Sequence, residues 1–349
     1  MRYILLLISA LLFFSCEDVE KQHQYKNQIP KFKLHEKMLT VVDSINSNTE
    51  VLHYIIQLDT NFRKFKLPLI DKIGNPGSKL EDRFLKRAVA KYRIDKNYFK
   101  ADFDNNGYTD ILIIGSWEGW PASVEKGWLP YSYVFMNFGD QPAKSFEFEG
   151  RSGVLPVIEH NKSGSFIEMH AAITDAERME LRDSVTCLKW VSLGFSEVTA
   201  QAEHYDIEKI QFTKGPCFGS CPIFEITLNK DGSSVLLADH FNTNGVSVIP
   251  EKCAFGSKIE KQDLTKIMNF LNYIDFPSLN DLYFVSYTDA PTATLVITYN
   301  NGKVKEIEDY GCRGNYALKS LYVALSELRF NQKWIEVEEP QGVRLNTLY

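Results

Sequence analysis

The sequence predicts an α+β protein in two domains, with amino-terminal helices and a mainly antiparallel sheet ahead of a carboxy-terminal hairpin-helix-hairpin-helix domain. Three observations predict it. Short runs of β-branched and aromatic residues bounded by Gly, Pro or Asn recur along the chain, which is how strands read. A few longer segments place apolar residues three to four apart, the helical period. The 349 residues, 44% hydrophobic and 13% aromatic, are enough for more than one core. The expected domains are residues 36–205 and 206–337, divided near Tyr205, with a tail over 338–349.

The chain opens with Met1-Arg2, an apolar run from Tyr3 to Phe14, and Ser15-Cys16. The run is too short for a transmembrane helix, which needs about 20 residues, and it has the length of a signal-peptide core. A lone basic residue, a short apolar run and a small residue before cysteine resemble a bacterial lipoprotein signal. The resemblance implies that residues 1–15 are removed and that lipid on Cys16 anchors the mature chain to a membrane of the cell envelope. Phe13 departs from the aliphatic residue usual at its position. Residues 16–35, rich in Lys, Gln, Asn and acids, read as a flexible tether with a reach on the order of 25 Å. Loss of Arg2 moves the formal charge from −6 to −7. A mildly acidic chain lacks the clustered cations that displace counterions from phosphates, so nucleic acid is excluded as a partner.

In the first domain, Leu39, Val42, Ile45, Leu52, Ile55 and Ile56 predict helical pieces broken at Asn46 to Asn48. Ser78 to Tyr92 predicts a clearer helix, started by Ser78 and Asp82 and striped by Leu80, Phe84, Leu85 and Val89. Strands are expected at Ile111 to Ile114, Tyr131 to Asn137, Ser145 to Phe148, Gly153 to Ile158, Ser165 to His170 and Ser184 to Val191. Ahead of the first of them lies Asp102-Phe103-Asp104-Asn105-Asn106-Gly107-Tyr108-Thr109-Asp110. Alternate Asp and Asn turn successive oxygens toward one point, and Gly107 supplies the positive φ that wraps the loop. Calcium takes six to eight such hard oxygens. The candidate ligands are the side chains of Asp102, Asp104, Asn106 and Asp110 and the carbonyl of Tyr108, in a structural rather than catalytic role. The spacing resembles the calcium loop of integrin-like FG-GAP and VCBS repeats. Those families repeat the unit around a propeller; a single copy here argues against one. The bidentate Glu of an EF-hand is missing, Leu112-Ile113 standing in its region. The competing reading is a polar turn in which Asp and Asn cap backbone amides. Trp117, Trp120 and Trp128 form an aromatic cluster that either fills the core or offers a ligand platform.

In the second domain, Ile207 to Phe212 and Ile223 to Leu228 predict strands around Lys214-Gly215-Pro216-Cys217-Phe218-Gly219-Ser220-Cys221-Pro222, with a hairpin turn at Asn229 to Gly232. Ser257 and Glu260 form a capping-box pattern ahead of Leu264, Ile267, Met268, Leu271 and Ile274. Thr292 to Tyr299 and Lys303 to Tyr310 flank an Asn-Asn-Gly turn, and Leu318, Leu321, Tyr322, Leu325 and Leu328 stripe a last helix. The order, with C-x-G-x-C-P after the first strand and Tyr287-Thr288-Asp289-Ala290-Pro291 before the second hairpin, resembles a domain-of-unknown-function family found in bacterial lipoproteins and secreted proteins. The resemblance implies a fold and no activity.

Cys217, Cys221, Cys253 and Cys312 all lie in this domain. In an oxidising envelope four cysteines favour two disulfides, with Cys217 and Cys221 bonded to each other or to Cys253 and Cys312. The alternative is a thiol-based redox protein or copper carrier. Cys-x-x-x-Cys-Pro is similar to the copper motif of Sco-type chaperones, His240 is a conceivable third ligand, and Lys214 is the nearest cation to stabilise a thiolate. Against it, that fold needs a helix after the second cysteine, and here a strand follows. No H-E-x-x-H, G-x-S-x-G or phosphate-loop pattern occurs. An envelope hydrolase would need carboxylates gathered by folding, with Glu225, Asp289, Asp309 and Arg313 as candidates. The expectation is therefore a lipid-anchored envelope protein of binding or structural type for an unidentified ligand or protein, leaning away from catalysis.

Overall fold

The computed structural model describes residues 37–75, 77–118, 127–148, 154–161, 164–175, 180–199 and 203–338. The expected signal peptide, Cys16, the tether, Trp120 and residues 339–349 of the tail lie outside the described residues.

Strands dominate. Among the described residues there are seventeen strands and five α-helices, so the α+β expectation with a hairpin-helix-hairpin-helix second half does not hold, and the protein is mostly β. Helix α1 (Val41–Ser44), α2 (Asn48–Leu58) and α3 (Lys79–Lys91) begin behind Thr40, Ser47 and Ser78; the Ser47 and Ser78 hydroxyls accept N–H bonds from Glu50 and Glu81. A five-stranded sheet follows, in which β1 (Phe65–Lys66) and β2 (Tyr98–Ala101) lie end to end along one side of β3 (Asp110–Trp117). Beyond β3 come β4 (Tyr131–Met136) and β5 (Lys144–Phe148). A four-stranded antiparallel meander of β6 (Leu155–Asn161), β7 (Gly164–Asp175), β8 (Glu180–Val191) and β9 (Gly194–Glu197) stacks against it.

Strand β3 is central because both of its faces are covered. Ile111 and Ile113 pack with Val42, Ile45, Val51, Ile55 and Phe62 from the helical side. Leu112 packs with Val134 and Met136 of the neighbouring β4 and with Ile167, Met169, Leu188 and Phe195 from the meander. That is why Ile111 to Ile114 run without polar alternation. Trp117 meets Phe65 and Tyr133 edge-on and Phe62 at a tilt, and Trp128 is fully buried with its indole N–H on the Leu69 carbonyl. Both fill core rather than offering a platform.

From residue 207 the chain builds an eight-stranded sheet. Its strands are β10 (Ile207–Lys214), β11 (Phe224–Asn229), β12 (Ser233–Ala238), β13 (Cys253–Lys258), β14 (Leu282–Phe284), β15 (Thr292–Tyr299), β16 (Lys303–Tyr310) and β17 (Ile335–Val337), in the order β14-β16-β15-β10-β11-β12-β13-β17. Helices α4 (Lys261–Tyr273) and α5 (Tyr316–Asn331) cover one face and share its apolar core.

Two strands account for much of the difference from expectation. In β12, Leu236, Leu237 and Ala238 are consecutive and all buried, which erases the period-two signal. In β13, Ser257 pairs with Ser234 and donates its hydroxyl to the Lys333 carbonyl. It therefore caps no helix: Glu260 is the residue before α4, and the expected capping box does not form. No helix among the described residues is long and apolar enough to cross a membrane.

Helix α5 ties the meander to the large sheet. Glu197, at the end of β9, accepts the Tyr316 and Ala317 N–H groups at 2.8 and 3.1 Å, so a carboxylate from one sheet sits on the positive end of a helix packed against the other. Ser320 donates to the Phe195 carbonyl at 2.7 Å, and a Cβ on Gly194 would stand 2.6 Å from the Ser320 hydroxyl, so only glycine permits this approach. Replacement Glu197→Ala is expected to destabilise the protein by about 1–2 kcal/mol, the value of a lost cap with charge, read as a lower urea midpoint. An unchanged midpoint would show that the junction does not depend on this carboxylate.

Candidate functional site

The loop between β2 and β3 gathers three carboxylates. Ligand oxygens of Asp102, Asp104 and Asp110 lie within 4.8 Å of one another, and among the described residues this is the group of His, Cys, Asp or Glu close enough to hold a metal. The chain wraps because Asn105 and Gly107 adopt positive φ, 57° and 90°. Asp102 accepts the Asn106 and Gly107 N–H groups at 3.1 and 2.8 Å. Asp104 accepts the Asn106 backbone and amide donors at 3.2 and 3.0 Å. The Asn106 side-chain oxygen accepts from Tyr108 N–H at 2.7 Å, which orients the position expected to offer its carbonyl.

Asp110 is the deepest member. Its side chain is inaccessible to solvent, and its two oxygens accept the N–H groups of Phe103 (2.8 Å) and Asn137 (2.7 Å), joining the loop to the end of β4. The loop is also stitched to the first helix, Thr109 donating to Asp43 and Met38 N–H to the Gly107 carbonyl, both at 2.8 Å.

Burial pushes the Asp110 carboxyl up to about 8, the two backbone donors opposing it and the charges of Asp104 and Asp102 adding to it. Burial, then repulsion from Asp102, raises Asp104 well above the usual carboxylate range. The cluster thus holds more negative charge than its own donors neutralise. Each carboxylate oxygen that accepts one N–H keeps a second lone pair, so the capping turn and a hard-cation site use the same geometry, and the donor set fits calcium in chemistry and count of side chains.

Folding separates the cysteines. Cys217 and Cys221 are joined by a disulfide, while Cys253 and Cys312 are free thiols, so the second disulfide expected of these four cysteines does not form; Cys187, which reads from the sequence as a buried thiol, is disulfide-bonded instead. The reason is the sheet order. Asp309, Ala293, Lys214, Phe224, Ala238 and Cys253 form one cross-strand row. Its ends are therefore about 24 Å apart at roughly 4.8 Å per strand, far beyond the reach of a disulfide. Cys312 follows β16 at one end of the row and Cys253 begins β13 at the other. Burial pushes the Cys312 thiol up to about 11, so it is not an activated thiolate. His240 faces carboxylates, with Nδ1 2.9 Å from Glu251 and Nε2 3.5 Å from Asp239, and is committed to them rather than to a thiolate pair.

The suggested hydrolase cleft does not assemble either. Glu225 pairs with Thr213 on the uncovered face of the sheet, whereas Asp309 lies buried on the helix face and spends its carboxylate on the Arg313 and Gly314 N–H groups. One titratable cluster carries no local signal in the sequence. His170 is buried between β7, β8 and α3, its Nδ1 3.1 Å from Asp183, its Nε2 3.4 Å from Glu168 and its ring 3.9 Å from that of Tyr92. The partners come from positions up to 91 residues apart, so no spacing could reveal them. A Tyr ring over the imidazole closes it to substrate.

The fold and these sites define a mostly β protein with a buried carboxylate loop and a disulfide-closed loop at one end of its large sheet. Residues 208–329 match the family model described as a domain of unknown function, DUF6438, covering the large sheet from β10 to within α5. No curated protein and no solved structure matches the chain.

The raised carboxyls set a pH dependence. In chelator-treated protein, folded Asp104 and Asp110 keep protons at pH values where the unfolded chain, with carboxyls near 3.8, has lost them. The folded state then binds more protons, and stability falls as pH rises from about 4 through about 8. The urea midpoint without cation is expected to drop between about pH 5 and pH 8, and Asp104→Asn should flatten the drop. A midpoint that rises across this window would contradict the assignment.

Proposed function

We propose that this is a lipid-anchored cell-envelope protein of binding or structural type, whose β2–β3 loop is locked by a calcium ion in a structural role. The observation that carries the calcium reading is the convergence of Asp102, Asp104 and Asp110 at the head of the buried central strand. Asn106 and the Tyr108 carbonyl complete the ligand set. A divalent cation there neutralises charge that burial otherwise forces onto protons, and it ties β2, β3, the end of β4 and the first helix into one unit. Lipid on Cys16 is the membrane attachment that the sequence supports, and it places the folded body beside an envelope membrane. Thiol redox chemistry gains no support from a Cys312 held protonated or from a His240 held by carboxylates.

Calcium titration of the chelator-stripped full chain tests the reading. One saturable site is expected in the weak range of extracellular modules, about 10⁻⁴–10⁻³ M, together with a higher Tm and loss of the pH-dependent instability. Asp102→Asn and Asp104→Asn are each expected to weaken binding about tenfold or more, the value of one charge-assisted contact. Absence of saturable binding at millimolar calcium would leave the loop as a hydrogen-bonded turn. Mass spectrometry of protein extracted from its native envelope tests the anchor, with diacylglycerol on Cys16 as the expected mass.

A further inference from the structure

We propose that Lys214 and Arg329 form a binding site for the oxyanion group of a small ligand, a carboxylate or a phosphate, beside the disulfide loop on the helix face of the large sheet.

Arg329, on α5, is only 7% exposed, and it has no acidic partner among the described residues. Its guanidinium stands 4.0 Å over the Phe224 ring and 4.9 Å from the Phe330 ring. Nε donates to the Ser326 carbonyl at 3.0 Å, and one terminal nitrogen donates to the Asn242 side-chain oxygen at 2.7 Å. Asn242 is itself fixed by donating to the Ile223 carbonyl at 3.0 Å. A guanidinium has five N–H donors, and these bonds use two of them. The group is locked in place by aromatic faces and an amide, while a second terminal nitrogen keeps both its donors. That is the preorganised fork that carboxylates and phosphates match.

Lys214 ends β10 and pairs directly with Phe224, so its side chain leaves the sheet on the face that carries the Arg329 guanidinium. Among the described residues its ammonium has no hydrogen-bond or ion-pair partner. Its other neighbour in the row is Ala293. The nearest acid of that row, Asp309, is two strands away, about 10 Å, and its oxygens already accept two backbone N–H groups. Burial lowers the Lys214 ammonium, the Cys312 thiol beside it opposing the shift and Arg329 adding to it, and burial brings Arg329 down to about 10.

Two half-desolvated cations sharing an aromatic neighbour, with no counter-charge bonded to them among the described residues, are a costly arrangement for a purely structural role. An oxyanion relieves it. The adjoining segment, Gly215 to Cys221, is closed by the disulfide between Cys217 and Cys221 and held to the next loop by Phe218 N–H on the Asp289 carbonyl, so the backbone that follows Lys214 is fixed.

The test is isothermal titration of the full chain, freed of calcium and chelator, with inorganic phosphate and separately with acetate at constant ionic strength set by chloride. Saturable binding of either is expected. Phosphate alone identifies a phosphorylated ligand, acetate alone a carboxylate ligand, and both a general oxyanion site. Lys214→Gln and Arg329→Lys are each expected to weaken the bound anion about tenfold or more. Lys214→Gln removes a half-desolvated charge and no apolar core contact, so the Tm measured in chloride should not fall, and this variant decides the question even if Arg329→Lys folds poorly. No saturable binding of either anion, or binding by Lys214→Gln equal to that of the parent chain, overturns the proposal.

Discussion

The carboxylate of Asp110 is the constraint on which the amino-terminal half depends. It sits at the first residue of β3, a strand covered on both faces, and it holds the β2–β3 loop and the end of β4 by their backbone donors. An acid in that place is expensive unless its charge is neutralised. Two backbone N–H groups offset part of the cost, and the remainder appears as a raised proton affinity shared with Asp104. The same environment that makes the loop a tight structural joint makes it receptive to a proton or a hard cation. Structure and chemistry at this site are one balance of charge against burial.

The large sheet poses a different problem. Its helix face is apolar through the middle, with Phe212, Ile226, Leu236, Leu295 and Ile307 under α4 and α5. At the end where the loops gather, the cross-strand row passes from Asp309 through Lys214 and Phe224 to Cys253. Helix α5 crosses the sheet with Tyr322 stacked on Phe212 and Arg329 on Phe224. Its first turn is held by a carboxylate from the meander. The helix that aligns the polar end of the large sheet is therefore also the one that anchors the smaller sheet, which couples the geometry of both.

Some of this was legible in the residues. Ser47 and Ser78 announce their helices through the hydroxyl that accepts the first free N–H, and the Asn-Asn-Gly turn at Asn300 to Gly302 announces the β15–β16 hairpin because all three adopt positive φ. The Asp102 to Asp110 loop was legible for the same reason, since alternate oxygens and one glycine define a local wrap. Ser257 misleads because its spacing to Glu260 suits a cap while its position in the sheet requires a strand. Leu236-Leu237-Ala238 misleads because burial on both sides removes the alternation by which strands are recognised. Those two segments, with the short edge strands β14 and β17, turn an expected α+β domain into a broad sheet.

What the sequence by itself determined are features set within a few residues: the signal-like start, the carboxylate loop, the helix starts behind Ser47 and Ser78 and the hairpin turns. Only the tertiary structure decided that Cys253 and Cys312 stand at opposite ends of a row and stay thiols, that His170 meets Asp183, and that Lys214 and Arg329 share the side of Phe224. Capping and turn φ are local energies that the chain writes in order. Strand order and the face on which a side chain emerges depend on pairings between residues up to about a hundred positions apart, and those are selected by the burial of whole sheets rather than by any spacing in the sequence.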